Sequence, residues 1–64
     1  MPALPVTEEA VAMYRELAAA NPDRYRPDLA ASLDNLGVRF SELGRRAEAA
    51  AAHDEAMKTR AQPD

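Results

Sequence analysis

The sequence predicts an all-α fold of three antiparallel helices, and three observations carry that expectation. Leu29, Leu33, Leu36, Phe40 and Leu43 recur at intervals of four, three, four and three residues, the spacing that aligns side chains on one face of a helix. Asn21-Pro22 on one side and Gly44 on the other interrupt the chain around that stripe. Apolar residues make up 47% of the chain, but alanine supplies much of this; with two Tyr, one Phe, no Trp and two Gly, the composition suits helix better than sheet.

The first helix is predicted over about residues 5–20. Pro5 fits an early position, and Thr7 can cap an N-terminus whose positive dipole end suits Glu8 and Glu9. Ala10, Val11, Tyr14, Leu17 and Ala18 recur at helical intervals and form one apolar face, with Glu9, Arg15 and Glu16 elsewhere. Asn21 to Arg26 reads as a loop. Pro27, which lacks an N–H that a first turn would not use, then opens a second helix over about 27–43, with Asp28 matching its dipole. Gly44 takes the left-handed geometry that ends it. A third helix follows over about 46–60, and so short a connection permits only an antiparallel hairpin. Its inner face is Ala49, Ala52 or His53, Ala56 and Met57, and Pro63 marks its end.

Composition narrows the function. A chain of 64 residues has room for one domain, 1–64, with a small core, and without cysteine neither a disulfide nor a thiolate metal site can reinforce it. The net charge of −3 gives no basic stripe for nucleic acid. No run approaches the roughly 20 apolar residues that span a bilayer, and the first residues lack a signal-peptide pattern, so the expected setting is cytoplasmic. Basic residues are nearly all arginine, which with the many alanines suggests a GC-rich coding sequence.

No chemistry-bearing constellation stands out. His53 lies beside Asp54 and Glu55, but a metal site needs three or four converging ligands and the chain has no second His and no Cys. Glu8-Glu9 and Asp54-Glu55 are adjacent pairs, which on a helix diverge. Glu42-Leu43-Gly44-Arg45 lacks the glycines and the Lys-Ser or Lys-Thr of a phosphate loop. The expectation is a protein that is not an enzyme and uses no cofactor and no metal.

The run Leu33, Leu36-Gly37, Phe40, then Ala49, His53 and Ala56 resembles the tetratricopeptide repeat, in which a large residue, a Leu-Gly pair, an aromatic, an alanine, another aromatic and another alanine recur at these spacings. The resemblance covers about residues 29–60. Val6 to Val11 aligns with Ala52 to Met57 at an offset of 46 residues, so the first helix looks like a second half-repeat, and the chain like one and a half hairpins. That offset exceeds the family's usual 34 residues. With Leu33-Asp34-Asn35-Leu36-Gly37 it is similar to the kinesin light chain variety, which bacterial proteins also carry. His53 stands where the pattern has an aromatic, and Ala61 where it has a proline.

The resemblance implies a groove, lined by the first helix of the hairpin, that receives a protein or peptide. The matching positions are Ala31, Asp34, Asn35, Val38, Ser41 and Glu42, with Asn35 the central one, since its amide both donates and accepts. Asp34 occupies the place of the lysine that clamps a terminal carboxylate in the family, which disfavours that ligand. Arg39 can pair with Glu42 or Asp34 along the helix. Because each hairpin of a repeat array covers the next, the open faces at both ends lead to the expectation of a homo-oligomer. The alternative is a purely structural assembly unit, or a piece of a longer repeat protein, with no peptide ligand of its own.

Overall fold

The structure is a computed structural model and describes residues 4–61. Three helices account for nearly all of them: α1 (Leu4–Ala20), α2 (Pro22–Glu42) and α3 (Arg46–Ala61), with no strand among the described residues. α2 lies between the other two; α1 and α3 each pack on it and not on each other.

The core is the ridge of α2 and what covers it from two sides. Leu29, Leu33, Leu36 and Phe40 are buried, joined by Val11 and Ala18 from α1 and by Ala49, Ala52 and Ala56 from α3, with Tyr14 and Tyr25 packed at its edge. α1 splits the apolar face that its sequence suggested: Val11 and Ala18 are buried, Tyr14 is half-buried against the core, and Ala10 and Leu17 stay partly exposed. Alanines on α3 let its backbone approach the leucine ridge closely, and Ala56 is fully buried.

Several boundaries differ from the sequence expectation. Asn21 to Arg26 is not a loop, because α2 already starts at Pro22, five residues before Pro27. Pro22 takes the helix-start position expected of Pro27, and Asn21 alone links α1 to α2, its φ of −146° and ψ of 78° lying outside the helical region that a following proline disfavours. The Asn21 carbonyl accepts the Tyr25 N–H at 3.1 Å, which begins the new helix. Pro27 therefore sits inside α2, where it removes one helical hydrogen bond near the N-terminal end. Tyr25, placed on the helix by this early start, reaches the core. Thr7 lies inside α1 and caps nothing, since the helix begins at Leu4 and tolerates Pro5 in its first turn. Pro63 lies outside the described residues.

Gly44 ends α2 as expected. Its φ is +76°, and the turn has paired bonds: Gly44 N–H to the Ser41 carbonyl at 3.0 Å, and Arg45 N–H to the Phe40 carbonyl at 2.9 Å. α2 stops at Glu42, one residue short of Leu43, which becomes the cap and is 59% exposed and so leaves the stripe. Met57 is likewise outside the core at 66% exposure, because α3 turns Ala52 and Ala56 inward and carries Met57 about 100° away from Ala56.

Candidate partner-binding surface

Buried leucines on one side of α2 leave the opposite side to solvent. Ala31, Asn35, Val38 and Glu42, at helical intervals, are all exposed and define the front of the molecule. Ser41 is exposed at its edge toward α3. On the other edge, Ser32, Asn35 and Arg39 meet Val6, Thr7 and Ala10 of α1 around a shallow groove of about 230 Å³. The back is different: Arg15, Glu48, Ala51 and Glu55 line a cleft floored by Leu33, Leu36 and Phe40.

Asp34 is the expected groove residue whose surroundings sequence reasoning did not foresee. Its carboxylate accepts hydrogen bonds from Arg60, at 2.5 Å, and from His53 Nδ1, at 3.2 Å, which ties the front edge of α2 to α3. An ionised carboxylate can only accept, so the imidazole presents N–H at Nδ1. The Arg60 guanidinium, and secondarily His53, hold the Asp34 carboxyl below its ordinary value of 3.8. Asp34 thus reaches a partner as one member of a neutralised cluster, not as a free acid.

Gly37 explains why His53 can sit there. A Cβ built at Gly37 would lie 2.6 Å from His53 Nε2 and 2.7 Å from Cε1, closer than side chains tolerate. The ring lies flush against bare backbone, and the glycine of the Leu36-Gly37 pair makes room for residue 53. Arg39 pairs with Glu42 at 2.7 Å, one of the two partners its position allowed.

Asn35, Val38, Ser41 and Glu42 therefore remain exposed on one helix face, while Asp34 is partly withdrawn. The structure adds Val6, Thr7, Ala10 and Ser32, which sequence reasoning missed because only the packing angle of α1 on α2 brings them beside Asn35. A larger hollow, about 580 Å³, lies at the end of the molecule among Pro22, Asp23, Arg26, Pro27, Thr59 and Arg60, away from the exposed stripe. There Arg26 Nε donates to the Thr59 carbonyl at 3.2 Å. No group of three or more His, Cys, Asp or Glu side chains suited to a metal occurs among the described residues, and no helix there is long and apolar enough to cross a membrane.

Compared with known proteins, residues 29–62 match the family model described as tetratricopeptide repeat. Searches of curated proteins and of solved structures gave no match.

Proposed function

Because the chain belongs to the tetratricopeptide repeat family, the match spanning more than half of its length, we propose that it binds a protein or peptide segment along the front of α2 and associates with itself through its open helix faces. The observation that carries the first part is the exposed stripe from Ala31 to Glu42, in which Asn35 stands over the α1–α2 groove. An extended segment laid across it could exchange backbone hydrogen bonds with the Asn35 amide and seat an apolar side chain against Val38 and Val6. Acidic Asp34 and Glu42 among Arg39 and Arg60 offer no run of cations, which supports a protein partner over nucleic acid.

The test is selection from a displayed library of random peptides on the purified chain, followed by titration of the recovered sequences. Asn35→Ala should weaken the best binder about tenfold, the scale of one or two hydrogen bonds. Failure to enrich any peptide, or indifference of every binder to Asn35→Ala, rejects the reading.

The second reading, an assembly unit without a peptide ligand, draws support from Val6, Met13 and Met57, each half or more exposed on the outer helices. Variants at those positions that change assembly, in a chain that selects no peptide, would favour it.

A further inference from the structure

We propose that two copies of the chain pack front to front about a two-fold axis parallel to the helices, α2 against α2 and α1 of each against α3 of the other. The proposal names the face and the partner for the self-association proposed above, and it rests on that reading.

The exposed apolar side chains decide the face. Val6, Met13, Val38 and Met57 are exposed by 45% to 66%, and helical spacing from residues of known position sets them on the front. Val6 lines the groove beside Asn35, and Met13 is one turn on from Ala10, which lines it too. Met57 lies one turn from both His53 and Arg60, the two side chains that reach round to Asp34. The back cleft, among Arg15, Glu48, Ala51 and Glu55, has no exposed apolar side chain larger than alanine. Leu43, the other large exposed apolar residue described, belongs to the turn.

Charge allows this face to be covered. Asp34 is already compensated by Arg60 and His53, and Glu42 by Arg39, so burial between copies strands neither central carboxylate. Area is adequate as well. The two longer extents of the molecule, 34 and 21 Å, bound the outline of a broad face at about 700 Å², of the order of the roughly 800 Å² that each partner commonly contributes to a stable complex.

The direction of the axis follows from levels along the helices. The Arg15–Glu55 pair sets α1 and α3 side by side, so Val6 and Glu9 stand near the level of Arg46. An axis parallel to the helices keeps those levels and brings Glu9 toward the partner's Arg46. A perpendicular axis would instead set α1 on α1, with Glu9 and Glu16 facing their own kind. Asn35 and Val38 then lie next to the two-fold, and dimerisation and peptide binding exclude each other.

Sedimentation equilibrium of the full chain over the micromolar range tests this. Val38→Glu and Met57→Glu, both at exposed positions, should abolish the dimer with helix content unchanged, whereas Ala51→Glu on the back should leave it intact. In this cysteine-free chain, mild oxidation should link Val38→Cys into a covalent dimer and leave Ala51→Cys unlinked. A dimer indifferent to both front glutamates, or one that links through position 51, overturns the proposal and leaves self-association through another face. A chain monomeric throughout overturns both, and if it binds library peptides through Val38, the occupant of the front is a peptide.

Discussion

α1 and α3 flank the same helix, yet they bury different faces. At the offset of 46 residues, Val6, Ala10 and Met13 of α1 correspond to Ala52, Ala56 and Thr59 of α3. α3 turns that face inward and buries all three residues, whereas α1 leaves its own partly or wholly exposed and buries Val11 and Ala18 instead. Conversely, Met57, the counterpart of buried Val11, is exposed. A helix of this repeat has two seats for a neighbour, and each outer helix fills only one. Sequence similarity between them reports the kind of helix and not which face meets α2.

α2 serves both neighbours through one ridge, and truncating that ridge has the largest expected effect. Leu33 is the most deeply buried large side chain, at 1% exposure. Leu33→Ala should cost about 3 kcal/mol, from lost transfer energy and the cavity left behind. In a domain this small the loss should appear in circular dichroism as collapse of all three helices together. If α1 melted first while the α2–α3 hairpin held, the ridge would not serve both outer helices alike.

Gly37 acts on the α3 side alone. In the folded chain an alanine Cβ displaces the His53 ring from its place against the backbone and loosens its contact with Asp34. Gly37→Ala should therefore gain less than the about 1 kcal/mol of helix propensity that alanine adds, because the ring at the end of the half-exposed His53 side chain must swing aside. In a His53→Ala background the obstacle is gone, and the same change should stabilise by about 1 kcal/mol. Equal effects in the two backgrounds, measured by urea titration, would show that the ring and the glycine are not coupled.

Much of this arrangement could be read from residue order. Intervals of three and four from Leu29 to Phe40 located the buried ridge, and Gly44 marked the turn, because both signals are local and periodic. Two kinds of error came from local signals that the packing overruled. Pro22 and Pro27 each suit a first turn, and nothing within the hexapeptide says which one the packing of Tyr25 will favour. Leu43 and Met57 continue apolar patterns, but a helix that ends one residue early, or turns by about 100°, exposes them. The Asp34–Arg60 pair joins residues 26 apart through the angle of the hairpin. No local spacing announces it, and with it went the state of one groove residue.

That pair makes the hold of α3 on α2 depend on pH. Asp34 is held below its ordinary 3.8 by Arg60 and His53, so the ionised form is favoured in the folded chain. Its contribution is fully present above the unfolded value and is lost as pH falls below about 4, through the lowered folded value. With the Asp34 side chain 37% exposed, solvent screening keeps the amount to at most about 1 kcal/mol. Asp34→Asn should remove that part of the acid destabilisation between pH 4 and 2, measured by thermal melts at each pH. An equally steep acid limb in the variant would assign the loss to other carboxylates.

The smallest effect probes whether the outer helices support each other at all. Arg15 reaches across to Glu55 with bonds of 2.7 and 2.8 Å, but both side chains are about half exposed, at 52% and 44%. Exposed pairs of this kind contribute about 0.2 to 1 kcal/mol and weaken with salt. Arg15→Gln should thus lower stability by a few tenths of a kcal/mol at low salt and by less at high salt, a shift visible only in careful paired melts. Since α1 and α3 each pack on α2 and not on one another, the pair aligns two helices already held in place. A loss several times larger, and insensitive to salt, would mean that the flanking helices depend on direct contact, and α2 would no longer be the sole keel of the fold.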